Sequence, residues 1–422
     1  KLGIMIVSAL AQTLQSSEII KIAGEVNEMK AKGVEIANLT IGDFDPQLFP
    51  IPQKLEDCIV EAYANRQTNY PTADGVAILR ESVSEFIKEK QNLDYDAKSE
   101  ILISGGSRPL IYATYLALVD PGDKVVYPAP SWNNNHYVHL LSANGVAVAT
   151  LPENNFMPTA ADLAPHLKGA TLLALCSPLN PTGTLFTAEG LKEICELVLS
   201  ENQSRKTDEK PLYLLYDQIY SQLTFGTHQH VDPVTLVPAI RDYVVFIDGA
   251  SKCFAATGVR VGWSFAPAQI ISKMKGIVGH MGAWSPKAEQ VATGKFLKDT
   301  DAVDGFLKDF SLKIQKSLNS LYLGIMTLKS EGFQVDAIEP MGAIYLTIKI
   351  DYVGKTTPEG DVLDTPAKLN FYLIKKANLA LVPFSAFGTE DMCWYRASVG
   401  ACSAEEIESK IPQLKEVLAS LK

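Results

Sequence analysis

The stretch VVFIDGASKCFAATGVRVGWSFA, residues 244–266, joins two apolar runs through a turn of small residues that carries a lysine. VVFI at 244 and GWSFA at 262 have strand length and no polar alternation, the pattern of strands buried on both faces. Similar runs stand upstream, ILIS at 101, KVVYP at 124, TLLALCS at 171 and YLLYD at 213, with helix-length segments between them. Strands alternating with helices predict an α/β fold, with a mostly parallel sheet as the middle layer of a three-layer α/β/α large domain.

The pattern changes downstream. A long helical stretch follows Pro286 to about Lys329, and then short strands, AIYLTIKI at 343 and CWYRASV at 393, mix with a helix over 365–377. This part reads as a smaller α+β domain. One good helix, Ser17 to Lys32, lies near the start. The expected organisation is residues 1–45 as an N-terminal arm and helix joining the small domain, 46–300 as the large domain and 301–422 as the small C-terminal domain. Residues 201–211, charged and ending in proline, read as a solvated loop.

A length of 422 residues exceeds what one core usually serves, which is why two domains are expected. The formal net charge of -10 argues against a general nucleic-acid or anionic-membrane surface while leaving room for a small cationic pocket. No apolar run approaches the ~20 residues of a membrane helix. The six cysteines are scattered without CxxC or Cys/His spacing, so they read as reduced thiols of a cytoplasmic enzyme with no metal site. Residues 2–11 have a short apolar core behind one positive charge, a poor match to a secretory leader.

In doubly wound sheets ligands sit outside the carboxyl ends of the strands, and several polar residues fall there. Lys252 leaves a strand on a small-residue turn, where desolvation favours the neutral, imine-forming amine. Asp217, ending YLLYD, suits a pyridinium nitrogen, and Tyr220 follows three residues on. Asn180 stands in the turn after TLLALC. Gly106, Ser107 and Arg108 open a helix after ILIS, where free N–H groups suit a phosphate. Trp132 follows KVVYP and offers a stacking surface. Arg396, within WYRASVG, has the planar fork that suits a carboxylate. Each also has an ordinary reading as a surface lysine, a turn cap, a helix cap or a core aromatic.

Taken together, Tyr70 with Gly75 and Arg80, Gly106-Ser107, Trp132, Asn180-Pro181-Thr182-Gly183, Asp217 with Tyr220, Ser251-Lys252, Arg260 and Arg396 resemble the class I aminotransferases of pyridoxal-phosphate fold type I, the aspartate aminotransferase-like family. The resemblance runs from about Asn38 to the C-terminus. It implies pyridoxal 5'-phosphate as cofactor, an amino acid and a 2-oxo acid as substrates, and a homodimer with shared active sites. By resemblance Lys252 is the Schiff-base lysine and proton carrier, and Asp217 partners the pyridine nitrogen. Asn180 and Tyr220 bond the phenolic oxygen and Trp132 stacks on the ring. Gly106, Ser107, Arg108, Ser251 and Arg260 serve the phosphate, with Tyr70 donated to the neighbouring subunit. Arg396 takes the substrate α-carboxylate beside Gly42, Asn180 and Trp132.

Several positions depart from the family pattern. Gly249 stands where a serine is frequent, which suggests a lost phosphate hydroxyl. Phe384 stands where a glycine is common, Asp43-Phe44-Asp45-Pro46 replaces the usual segment after Gly42, and Arg108-Pro109 is unusual beside the phosphate loop. A β-lyase or decarboxylase on the same scaffold, or a non-catalytic cofactor-binding regulator, are the alternative readings. No second arginine is placed for a distal carboxylate, so aspartate-like, aromatic and alanine-like donors stay open.

Overall fold

The apolar runs become strands because their residues have two buried faces to fill. The computed structural model describes residues 7–14, 18–389 and 393–422. Among them the strands are Ala37–Asn38 (β1), Ile101–Ser104 (β2), Lys124–Ala129 (β3), Asn144–Ala149 (β4), Ala170–Cys176 (β5), Tyr213–Asp217 (β6) and Val244–Gly249 (β7). Beyond these come Gly262–Phe265 (β8), Val335–Ala337 (β9), Tyr345–Ile350 (β10), Leu379–Ala380 (β11), Val382–Pro383 (β12) and Trp394–Ser398 (β13). Seven of them form one sheet in the order β2-β8-β7-β6-β5-β3-β4. From β4 to β7 all neighbours are parallel, whereas β8 runs antiparallel to both β7 and β2.

Alternate residues of each strand enter different cores. Val244 and Phe246 pack with Leu79, Val83 and Leu191 on one side. Val245 and Ile247 pack with Leu110, Ile271 and Met274 on the other. Helices therefore cover both faces, giving the three layers that the unbroken apolar runs predict. A second, antiparallel sheet, β12-β13-β10-β9, packs its Leu346 and Ile348 against Ile314, Leu318 and Leu321 of the helix Thr300–Ser330 and against Leu373 and Leu414. β1 pairs in parallel with β11, which ties the N-terminal segment to this part of the molecule. No helix among the described residues is long and apolar enough to cross a membrane.

Three local readings change. β4 has no counterpart in the sequence reading, since this edge strand is largely exposed and built from small residues. The helix Ala188–Ser204 runs into the stretch read as a loop, and its end is held by Arg205, which bonds Glu201 four residues back and the Lys210 and Ala170 carbonyls. The stretch after Pro286 is two helices, Lys287–Leu297 and Thr300–Ser330. The helix expected from Ser17 is observed over Glu18–Ala31; Ser17, and residues 1–6 of the leader-like stretch, lie outside the described residues.

The edge that carries the site is closed by glycines. A Cβ on Gly262 would land on the backbone of Gly106 and Ser107, and one on Gly249 would come within 2.9 Å of the Gly262 Cα and the Val261 carbonyl. The serine frequent at position 249 in the family has no room here, so the glycine answers a packing demand. Gly262→Ala is therefore expected to destabilise by ~1–3 kcal/mol, as overpacking does. Gly276→Ala, in the helix Ala268–Met281 with nothing within 4 Å of its Cβ, should stabilise by ~0.5–1 kcal/mol. Urea midpoints at constant m-value read both, and the same sign for the two would refute the packing account.

Candidate active site

A cavity of about 860 Å³ opens where β5, β6 and β7 end, lined by Cys176, Asp217 and the turn Ser251-Lys252 together with Trp132, Asn180 and Arg396. Lys252 sits in the short helix Ala250–Cys253 directly after β7. Its Nζ donates to the Gly42 carbonyl at 2.5 Å and lies 5.8 Å and 5.9 Å from the Phe44 and Tyr220 ring centres. Burial lowers its pKa to about 8, with Asp43 opposing and Arg396, Arg108 and Arg260 reinforcing the shift. Asp217, the last residue of β6, is pushed up to about 6 by burial; the Ile219 amide, 3.1 Å away, and the charge of Lys252 resist that rise.

Arg396 is 2% exposed. It donates to Asn180 Oδ1 at 3.1 Å and to the Thr40 carbonyl at 2.6 Å, and its guanidinium lies over the Tyr345 and Phe387 rings. Its Nε has no partner, and it forms no ion pair among the described residues. A buried guanidinium without a counter-charge is costly, so an anion belongs beside it. Arg260, at φ 61°, clamps the Gly105 and Thr257 carbonyls at 2.8 Å and 2.6 Å, while Gly106 lacks the Cβ that would strike its guanidinium. The helix Ser107–Leu118 starts at that point, so free N–H groups and a guanidinium share one corner.

Of the residues singled out from the sequence, the cavity gathers Gly42, Ser107, Arg108, Trp132, Asn180, Asp217, Tyr220, Ser251, Lys252, Arg260 and Arg396. Gly106 lies just behind the wall. Tyr70 is 81% exposed, outside the cavity, with its ring edge-on to Trp284 at 5.4 Å. Phe384 does not reach the cavity: it is fully buried against Phe156 and Phe387, so this departure from the family pattern leaves the pocket wall untouched. Arg108, exposed on the first turn of its helix, stands 4.6 Å over the Trp132 ring, a third arginine on the wall. The sequence reading missed Tyr345, which looks like a core residue of an apolar strand yet lines the cavity with its phenol 2.6 Å from that of Tyr220.

Residues 34–412 match the family described as aminotransferase class I and II. The chain belongs to that family. A probable aspartate/prephenate aminotransferase of Rhizobium leguminosarum bv. phaseoli is 27% identical to this aminotransferase over 412 residues, 97% of this chain and 98% of the relative. An aspartate aminotransferase of Rhizobium meliloti is 26% identical, with 92% and 90% covered. In fold it resembles the crystal structure of the aspartate aminotransferase from Rhizobium meliloti, with a TM-score of 0.87, 24% identity and 99% and 100% of the two chains covered. The Thermus thermophilus aspartate aminotransferase with maleate gives 0.86 at 23% identity, with 98% and 100% covered.

The enzyme is a transferase that uses pyridoxal 5'-phosphate. The residues present fit that group: an amine of lowered pKa, a buried carboxylate without a cation at ion-pair distance, and a glycine-floored helix start beside Arg260 supply what an aldehyde, a pyridine nitrogen and a phosphate require. With the Lys252 pKa at about 8, roughly a tenth of the amine is neutral at pH 7, against less than a thousandth for an ordinary lysine. Only the neutral amine attacks an aldehyde. The rate at which cofactor-free protein takes up pyridoxal 5'-phosphate should therefore climb between pH 7 and about 8 and then level off. A rate still rising tenfold per unit at pH 9 would show that Lys252 is not desolvated.

Proposed function

We propose that this aminotransferase moves an amino group from an acidic L-amino acid, aspartate foremost, to a 2-oxo acid, with Lys252 as both the cofactor's attachment point and the proton carrier. The observation that carries the reading is a buried amine of lowered pKa sharing one cavity with the Asp217 carboxylate and an Arg396 that lacks an anion. When bound, the cofactor supplies an electron-withdrawing ring that stabilises negative charge at the substrate Cα.

This chain's residues divide the remaining work. Asp217 holds the ring nitrogen protonated by its charge. Asn180 and Tyr220 would bond the ring oxygen, and Trp132 would serve the ring as an aromatic surface. Gly106, Ser107, Arg108, Ser251 and Arg260 hold the phosphate. Arg396 grips the α-carboxylate, kept in place by Asn180 and the Thr40 carbonyl, with Gly42 and Trp132 completing that subsite. Lys252 Nζ, with its lowered pKa, would be the group that takes up and gives back the substrate Cα proton.

Preference for an acidic donor is supported by relatives named aspartate or aspartate/prephenate aminotransferases. The exposed, upright Tyr70 supports a homodimer in which it reaches the neighbouring subunit's phosphate. Cysteines free throughout the described residues suit a cytoplasmic enzyme. The pairing of β1 with β11 supports residues 1–45 joining 301–422 as the small domain, with 46–300 as the large one.

Amino acids mixed one at a time with the yellow enzyme, followed by absorbance and by assays for ammonia and pyruvate, test both reaction and donor. Aspartate should bleach the cofactor band fastest without releasing ammonia. Ammonia in step with bleaching would make the enzyme a lyase. Lys252→Ala should lower turnover by at least ~10²- to 10⁴-fold, the worth of general acid-base catalysis alone. Near wild-type turnover in that variant would remove Lys252 from the mechanism.

Arg396→Lys replaces a two-pronged fork by a point charge on a group shared by every substrate. Its kcat/KM should fall by ~2 kcal/mol, the lower end for a truncated buried charge pair, and by the same factor for acidic, aromatic and small donors. A loss confined to aspartate and glutamate would assign Arg396 to the side chain instead.

A further inference from the structure

Tyr345 opens β10 with its ring buried, 1% exposed, and reaches the same cavity as Tyr220. The two phenolic oxygens are 2.6 Å apart, and the rings meet edge to face at 5.5 Å. The Tyr345 hydroxyl is confined. A Cβ at position 42 would come within 2.6 Å of it, and the Arg396 guanidinium lies 4.7 Å over the ring. Tyr220 is its only hydrogen-bond partner among the described residues.

Each phenol has one proton and can accept as well as donate. Burial raises both above the usual phenol range, so both protons stay on at neutral pH. If Tyr220 donates to Tyr345, its only proton is spent there and none remains for a ring oxygen in the cavity. If Tyr345 donates, Tyr220 keeps its proton for a third group. Accepting a bond also strengthens the O–H of the acceptor, because successive hydrogen bonds polarise one another.

We infer that Tyr345 is a positioning residue of the transamination site, whose hydroxyl donates to Tyr220 and so turns the Tyr220 proton toward the cofactor's ring oxygen. This rests on the role proposed above for Tyr220. The charged and titratable groups around the pair are Arg396 from β13, Lys252 from the turn after β7, Asp43 from the segment after β1, and Cys176 at the end of β5. Tyr345→Phe removes the hydroxyl alone and leaves the ring under Arg396.

The test is the pH titration of the absorbance of the cofactor bound to Lys252, in wild type, Tyr345→Phe, Tyr220→Phe and the double variant, with folding checked by circular dichroism. Negative charge on the ring oxygen helps hold a proton on the lysine nitrogen. A hydrogen bond to that oxygen draws the charge away and lowers the midpoint, so weakening the bond raises it. Tyr345→Phe should raise the midpoint by a few tenths to about one pH unit, the size of one neutral hydrogen bond, and by less than Tyr220→Phe does. In the Tyr220→Phe background it should add nothing. An unchanged midpoint, or the same shift in both backgrounds, overturns the inference while leaving Lys252 and Tyr220 where they are. A wild type with no titrating band would instead defeat the reading of Lys252, and the inference with it.

Discussion

Backbone meets backbone without intervening side chains at Gly106, Gly249 and Gly262, and the geometry of the site depends on that contact. β8 lies between β2 and β7, with Gly262 opposite Gly249 on one side and Ser104 on the other. Three strand ends are thereby drawn to one point. The helix start at Ser107, the turn bearing Lys252 and the clamp made by Arg260 all leave from it. Glycine costs conformational entropy of ~0.5–1 kcal/mol at each such position, and the approach of the strands that it permits cannot be had with a Cβ present.

Around that corner the fold holds charges that it does not itself neutralise. Lys252 at about 8 and Asp217 at about 6 have both moved toward neutrality through desolvation, and Arg396 has no counter-ion. A second buried polar group behaves differently. Asp248, raised to about 7, and His230, lowered to about 3, meet at Gln218, which donates to Asp248 and bonds the His230 ring. Gln91 completes the set with a reciprocal amide pair. There Asp248 accepts from Gln218, Ser221 and the Gly249 amide within the protein, although His230 Nδ1 is left without a partner among the described residues, whereas the groups facing the cavity await a ligand. Buried polar groups of one composition are thus told apart by where their partners come from.

Most of the architecture was legible because buried strands leave unbroken apolar runs. Six strands of the large sheet and two of the small one could be read in this way, as could the helix over 365–377. β4 escaped because its largely exposed edge, NGVAVA, spaces two valines among glycine, alanine and asparagine and makes no long apolar run. β1, β11 and β12, at two residues each, are too short to leave any periodic signal. At the site, charged residues and punctuated turns stood out, whereas Tyr345 hid inside a strand whose other residues are apolar. The packing reason for Gly249 was not legible, because a clash between backbones appears in no single stretch of sequence. The placement of Phe384 was not legible for a related reason: it packs on Phe156, far away in the chain.

The antiparallel direction of β8 also simplifies a connection. Parallel neighbours need a crossover of a dozen or more residues, ordinarily with a helix, whereas antiparallel neighbours can be joined directly. Because β8 turns back beside β7, the twelve residues 250–261 that join them need carry no crossover helix beyond the short Ala250–Cys253, and Lys252 and Arg260 ride on that one connection. Both of its ends are tied to chemistry, so a residue inserted between 254 and 259 would displace one charged group relative to the other. The segment from 206 to 209 has no such obligation and offers room for inserted epitopes or reporter loops. Where this scaffold accepts new sequence is set by strand direction as much as by exposure.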